Sequence, residues 1–323
     1  MGSAEVGARL KVEPSATRCS ACGAKAITRL SYAKLYLCSD HFLHFFESRV
    51  LGSIQAMGMF QRGERVVVAV SGGKDSLSLL HFLSKFKDLL GIDLIAVLID
   101  EGIRGYRSEK IAAARFYARL WGVELVVKSF EEEFGLTLDE AVRRLMHKGL
   151  IYKPCTVCGV FRRYLLNKAC LELGADKLAT AHNLDDEVQA FLMNAAQANF
   201  QAILREGAVA ARTHPLLVPR VKPFYFIPER EVLIYALIQK IETPDVECPY
   251  IVYSFRHTLR RWLNRVAEED PSVKHRALSL KIALSKRYQL EASEELKMCK
   301  LCGMPSSRDI CKACQLREYL SRP

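Results

Sequence analysis

The sequence predicts an α/β fold, a doubly wound parallel sheet, with a small metal-binding finger at each end. Three observations carry this. Val66–Val70 is an unbroken apolar run, β-branched except for Ala69. It is followed by Ser71-Gly72-Gly73-Lys74-Asp75-Ser76 and then by Leu77, Leu79, Leu80, Phe82 and Leu83 at helical spacing. Apolar strands and helical stretches go on alternating downstream. Paired cysteine motifs stand near both ends of the chain.

Taken in order, the first finger comes from Cys19-x-x-Cys22 and Cys38-x-x-His41. Two such pairs at this distance fit a tetrahedral zinc site with no ligand position left for water, hence a structural one. The loosely alternating Ile27–Leu37 between them suggests a small hairpin. A unit this small needs its metal to fold. From His41 to about Met59 one helix leads away, with Phe42, Phe45, Phe46, Val50 and Ile54 recurring at three- and four-residue steps as packing positions.

The Val66–Val70 run reads as a strand buried on both faces. Strand, glycine turn and helix together make an anion site, because free backbone N–H groups and the positive helix end point at the ligand. Gly72 and Gly73 are expected to allow unusual φ values and a close backbone approach. Lys74 adds a mobile charge, and Ser71 and Ser76 add hydroxyl donors. Next come a strand at Leu94–Ile99 ending in Asp100-Glu101-Gly102, a helix at Arg107–Leu120, a strand at Val123–Val127, another at Asp176–Ala181, and a helix from Asp185. Such alternation predicts a parallel sheet with ligands at the C-terminal strand ends. Asp100 either faces a nucleotide there or caps the next segment.

A second cysteine set, Cys155 and Cys158 at the start of a helix carrying Arg162 and Arg163, is joined by Cys248 in Glu247-Cys248-Pro249. Spacing alone is compatible with zinc, an iron–sulfur cluster or redox thiols. A cluster held by three cysteines leaves one iron open to an exogenous sulfide. Cys170, alone in mid-helix, reads as a core residue. Ala181-His182-Asn183-Leu184-Asp185-Asp186-Glu187 ends a strand and starts a helix. Its carboxylates either cap that helix or hold magnesium and assist proton transfer beside a nucleotide.

The stretch 199–226 reads as loop-rich. Arg205, Arg212, Arg220 and Lys222 interleave there with His214, Phe224 and Tyr225, a mixture that can follow an RNA backbone and stack bases. Ser254–Glu268 reads as an amphipathic helix with Phe255, Leu259, Trp262, Leu263 and Val266 inward and Arg256 and Arg260 on an exposed ridge. The last finger is Cys299-x-x-Cys302 with Cys311-x-x-Cys314, a four-cysteine zinc signature. The boundaries expected are a tail at 1–18, finger and linking helix at 19–60, a catalytic domain at 61–290 and the second finger at 291–323.

Composition agrees. The 323 residues are 50% hydrophobic and 26% charged, with 47 Lys+Arg against 36 Asp+Glu, a formal charge of +11. That balance suits a polyanionic partner. No apolar run reaches membrane-spanning length and no signal-peptide pattern opens the chain, so the reading is a cytoplasmic protein without a membrane partner. Eleven cysteines without an export signal argue for metal or catalysis rather than disulfides.

The six residues Ser71–Ser76 resemble the PP-loop of the ATP pyrophosphatases, enzymes that split ATP into AMP and pyrophosphate. Together with the Pro154–Asn167 stretch, Ala181–Glu187, Cys248-Pro249 and both zinc sets, the chain resembles the tRNA 2-thiouridine synthetases of the TtuA type, within the wider TtcA/TtuA group. The resemblance runs from Cys19 to Cys314. It implies that Ser71, Gly72, Gly73, Lys74, Asp75 and Ser76 hold the ATP phosphates, with backbone at Ala69, Val70 and Ala181 near the nucleotide and Arg162 facing it. It implies Asp75 and Asp186 as catalytic carboxylates and Cys155, Cys158 and Cys248 as ligands of a [4Fe-4S] cluster. ATP with Mg2+ would adenylate the C2 oxygen of a tRNA uridine, and sulfur from a ubiquitin-like carrier or free sulfide would replace it. Two structural Zn2+ and a homodimer complete the expectation. The first finger ends in His41 rather than a fourth cysteine, which favours the T-loop ribothymidine as the target over the wobble uridine on which a sister group acts.

Overall fold

The computed structural model describes residues 17–205, 207–288 and 296–322. Nearly all of the expected 1–18 tail and the expected boundary at 291 lie outside them. The chain divides into two compact units, Met1–Phe46 and Glu47–Pro323.

The first unit holds the predicted hairpin. Strand β1 (Thr28–Leu30) pairs antiparallel with β2 (Leu35–Leu37), Thr28 opposite Leu37. Helix α1 (Ser39–Ala56) starts here and runs on into the second unit.

The second unit is the predicted α/β sheet. In chain order it comprises β3 (Arg65–Ala69), α2 (Lys74–Leu90), β4 (Asp93–Asp100), α3 (Arg107–Leu120), β5 (Glu124–Ser129), α4 (Phe130–Phe134), α5 (Leu138–His147), α6 (Pro154–Glu172), β6 (Lys177–Ala179), α7 (Leu184–Ala196), α8 (Phe200–Arg205), β7 (Arg220–Val221), α9 (Glu229–Ile238), α10 (Phe255–Glu269), α11 (Val273–Arg287), β8 (Lys297–Met298), β9 (Pro305–Ser306) and α12 (Lys312–Ser321). The five-stranded sheet has the order β5-β4-β3-β6-β7, every pair parallel. Val66–Val68 and Ala96–Leu98 are wholly buried, as all-parallel strands covered on both faces must be. The chain leaves β3 toward β4 and β5, then returns to β6 on the other side. That reversal opens a crevice at the carboxyl ends of β3 and β6, where such sheets take ligands.

Helix α6 is the main buttress. Proline fits its first turn, where no N–H is needed. Phe161 on this helix stacks on Phe134 at 3.9 Å and meets Phe130 edge-on at 5.5 Å. Truncating so enclosed a ring costs on the order of 3–5 kcal/mol. Cys170 is buried here, its thiol pushed up to about 12 by burial, and it is the core residue expected. Leu316 and Leu320 of α12 join the same apolar cluster as Cys158 and Phe161.

Three local expectations are corrected. The stretch 199–226 contains α8 and the edge strand β7. Phe224 and Tyr225, expected to stack on bases, are almost wholly buried, because the edge strand turns them into the core. Lys222 pairs with the buried Glu187 at 2.6 Å instead of following a backbone. On α10, Phe255 and Trp262 were expected inward but are 40% and 48% exposed, and Leu263 is the buried residue. Finally, Gly73 has an ordinary φ of −97°, so only Gly72, at +78°, needs glycine's freedom.

Candidate active site and metal centres

The crevice is a cavity of about 1310 Å3 at the carboxyl ends of β3, β4 and β6. Ala69, Val70, Ser71, Asp75, Ser76, Arg162, Ala181 and Asp186, all singled out from the sequence, line it. Gly72, Gly73 and Lys74 do not. A Cβ on Gly72 would stand 2.2 Å from the Lys110 carbonyl oxygen, so the turn is pressed against α3. Gly73 is the extended N-cap of α2 and has no capping side chain, which leaves N–H groups of the first turn for an anion. Ser71 and Ser76 hydroxyls meet at 3.0 Å, and Ser76 Oγ accepts from the Ser71 N–H at 3.0 Å. Arg107, Arg162, Arg163, Arg205, Arg220 and Arg256 also line the cavity, so its field favours a polyphosphate. The donor set, the open helix end and the volume all fit ATP.

Lys74 is not free. Its Nζ donates to Asp75 Oδ2 at 2.9 Å and to Glu229 Oε1 at 2.8 Å. Burial alone would lower this ammonium's pKa, but Asp75 and Glu229 outweigh it and raise it. Burial pushes the Asp75 carboxyl up, Glu229 and Asp186 add to that, and Lys74 opposes it. Asp186 serves both readings made of it. It closes a capping box with Asn183, and it lines the cavity, where Arg256 Nη1 lies 3.1 Å from its Oδ1. Arg260 Nη2 is 2.7 Å from Glu229 Oε1. The arginine ridge of α10 is half-exposed, as expected, and its guanidinium groups also reach the carboxylates of the site. Asp100 caps: its Oδ1 accepts from the Gly102 N–H at 2.8 Å.

The three central cysteines come together beside this cavity. Cys158 is buried on α6. Cys155 lies one turn earlier, its thiol 3.6 Å from the Tyr250 carbonyl, and Cys248 precedes the 3-10 turn Pro249–Tyr253. Burial pushes the Cys158 thiol up to about 11, Glu101 and Cys248 add to the rise, and Arg162 opposes it. Arg162 Nη2 donates to Cys158 Sγ at 3.1 Å. Among the described residues these three cysteines do not form a set as tight as a single zinc needs.

The terminal sets are tighter. The ligand atoms of Cys19, Cys22, Cys38 and His41 all lie within 4.8 Å of one another, and so do those of Cys299, Cys302, Cys311 and Cys314. The Cys22–Cys38 and Cys302–Cys311 sulfurs are 3.8 and 3.7 Å apart. A tetrahedron with Zn–S bonds of about 2.3 Å has an edge of about 3.8 Å. Burial works against the Cys19 and Cys299 thiolates, but backbone N–H groups outweigh it and hold both at about 6. Among the described residues no third set is as tight.

Sequence reasoning missed Glu229, Glu101 and Arg107. Glu229 lies 155 residues from Lys74, and nothing near it in the chain signals the pairing. Glu101 stood in view at the end of β4, next to the Asp100 that drew attention instead.

The chain matches the PP-loop domain family over residues 43–266 and the N-terminal LIM domain of the 2-thiouridine synthetase TtuA over residues 18–43. It is 37% identical to a probable sulfurtransferase of Methanocaldococcus jannaschii, over 91% of this chain and 85% of the relative. It is 34% identical to the tRNA-5-methyluridine(54) 2-sulfurtransferase of Pyrococcus horikoshii, over 92% of this chain and 93% of that one. The solved U34-tRNA thiolase NcsA of Methanococcus maripaludis, with its [4Fe-4S] cluster, superposes with a TM-score of 0.81 at 30% identity, over 95% of this chain and 97% of the other. The chain belongs to the PP-loop tRNA 2-thiolation enzymes. As a member of that family it is an ATP-dependent sulfurtransferase with the family's α/β fold, and its two terminal sets have the composition and spacing to hold a metal ion. No described helix is long and apolar enough to cross a membrane.

Proposed function

We propose that this chain 2-thiolates the T-loop ribothymidine of tRNA, with ATP activating the C2 oxygen. The observation that carries the reading is Arg162. It lines the nucleotide cavity and bonds Cys158 Sγ at 3.1 Å, so the phosphate site and the thiol set are one centre.

The N–H groups at the start of α2, with Ser71 and Ser76, cradle the ATP phosphates, while backbone at Ala69, Val70 and Ala181 borders the nucleotide. Asp75 and Asp186 would hold Mg2+, which would supply charge neutralisation for the polyphosphate. Lys74 leaves its carboxylate partners to steady the departing pyrophosphate. The uridine O2 attacks the α-phosphorus of ATP and pyrophosphate leaves. Sulfur then bonds to C2, and the C2–O bond breaks with AMP as leaving group. Cys155, Cys158 and Cys248 would hold a [4Fe-4S] cluster, which supplies an iron with a free position for sulfide. Arg162, held at Cys158, orients the phosphates toward that side. The terminal sets would hold two structural Zn2+.

The sulfur donor is a thiocarboxylated ubiquitin-like carrier or free sulfide. The enzyme acts in the cytoplasm, where its eleven free cysteines stay reduced, and it works as a homodimer. The TtuA-type match over residues 18–43 and the Cys3His set support the T-loop target. The likeness to a U34 thiolase favours the wobble uridine as the second reading.

The test is anaerobic purification with iron and sulfide assays, then mass spectrometry of tRNA digested after reaction with ATP and sulfide. Iron with a thiolated T-loop nucleoside is the expected result. A thiolated position 34 would move the target to the wobble base. Thiolation with zinc alone would remove the cluster and leave direct attack of sulfide on the adenylated C2, with AMP as leaving group.

A further inference from the structure

Glu101 closes β4 and is 2% exposed, a position where a carboxylate must be paired. Two arginines pair it. Arg107 Nε lies 2.8 Å from Oε2, and Arg162 Nη2 lies 2.8 Å from Oε1. Each arginine has a second task. Arg107 is itself 4% exposed, and its Nη1 donates to the Ser71 carbonyl at 2.9 Å while Nη2 bonds the Ile99 carbonyl. Arg162, whose side chain is 47% exposed, uses the same Nη2 for Cys158 Sγ.

The result is one continuous line from the first residue of the phosphate loop, through Arg107, Glu101 and Arg162, to a thiol of the central set. Among the described residues Glu101 is the carboxylate that pairs with Arg162, and without it a half-exposed arginine held by Cys158 would lose its aim into the cavity. We propose that Glu101 is a positioning residue for the nucleotide: it holds Arg162 between the cavity and Cys158 and, through Arg107, sets that arginine in register with the phosphate loop. The inference rests on the reading of the cavity as an ATP site.

The test is a double-mutant cycle on the anaerobically purified chain with its metals in place. The affinity for a non-hydrolysable ATP analogue is measured by calorimetry for wild type, Glu101→Gln, Arg162→Ala and the double variant. Freeing one side chain that binding must then immobilise costs about 0.5–1.5 kcal/mol, so Glu101→Gln should weaken binding roughly two- to tenfold. In the Arg162→Ala background it should add nothing. An equal weakening in both backgrounds would make Glu101 merely structural, and unchanged affinity in the single variant would overturn the proposal. If Glu101→Gln does not fold, Arg107→Lys keeps the charge but loses the fork, and it is run through the same cycle with the same expected non-additivity. Wild type that fails to bind the analogue at all would instead defeat the ATP reading, so the two failures separate.

Discussion

At Gly72 the backbone turns with φ +78° and presses on the Lys110 carbonyl, leaving 2.2 Å where a Cβ would have to sit. The atoms it would meet are all Lys110 backbone, not a side-chain tip that can swing away. Strained positions of this kind cost about 1–3 kcal/mol each, so Gly72→Ala should weaken ATP binding at least about fivefold. Gly73→Ala meets only Ser71 Oγ at 3.5 Å with an ordinary φ and should stay within about threefold, since a Cβ there breaks no backbone rule. Calorimetric titration of both variants checks the contrast, and equal losses would show that the two glycines share one role. His81 offers a second residue-scale prediction. Burial, then Lys85, holds its pKa at about 4, and Nδ1 meets the Tyr235 hydroxyl at 2.9 Å. The folded pKa lies below the unfolded value of about 6.5, so the unfolded chain binds the extra proton between the two. The contribution to stability is complete above about pH 6.5 and is lost as pH falls toward 4. Between pH 7 and pH 5 the loss is on the order of 1–2 kcal/mol. Denaturant midpoints of wild type and His81→Gln at both pH values measure it, and parallel pH dependences would refute it.

Among the elements, α10 departs furthest from its sequence pattern. Its arginines read as an exposed ridge, yet Arg256 and Arg260 also pair with Asp186 and Glu229 at 3.1 and 2.7 Å. Half-exposed pairs like these contribute only about 0–1 kcal/mol to stability, so their value lies in orientation. Arg256→Ala should slow ATP-dependent turnover on the order of tenfold, because a misplaced carboxylate costs alignment. The salt dependence of tRNA binding should stay as it is. A phosphate contact would instead lower that slope by about 0.7–0.9 per lost arginine, so a flatter slope with unchanged turnover would return Arg256 to the RNA. Strand β3, the phosphate turn, α3 and the terminal cysteine sets were legible because their signals are local: an apolar run, a glycine pair, ligand spacing. Lys74's hold on Glu229 and Arg162's on Glu101 join separate elements through the fold, and no spacing records them. Phe224, Tyr225, Phe255 and Trp262 were misread because an aromatic beside basic residues looks the same whether it faces a base or the core. Which one it faces is decided by the edge strand beside it and by the rotation of its helix.

At the scale of the whole molecule the two zinc-type sets are alike in chemistry and differ in surroundings. The first belongs to the small unit Met1–Phe46. The second is built into the apolar cluster that also contains Cys158 and Phe161, with Cys299, Cys311 and Cys314 all buried in it. Helix α12 is tied there at its carbonyl end: Arg144 donates to the Leu320 carbonyl at 2.9 Å, and Lys148 donates to those of Tyr319 and Arg322 at 3.1 and 2.7 Å. Cations at a helix C-terminus satisfy orphan carbonyls and complement the dipole. Lys312, at the other end of α12, stands 4.4 Å from the Tyr152 ring centroid, three residues before Cys155. A structural metal's binding energy is folding energy for what it organises. Losing the second metal therefore loosens α12 and, with it, the segment leading into Cys155 and Cys158. Cys299→Ser should lower the iron retained after anaerobic purification at least severalfold and speed amide exchange along α5 and the start of α6. Cys22→Ser should speed exchange in the β1–β2 hairpin and leave iron content unchanged. Full iron retention in Cys299→Ser would show that the thiol set stands without the knuckle packed behind it, and that α6 is held by Phe130, Phe134 and the sheet alone.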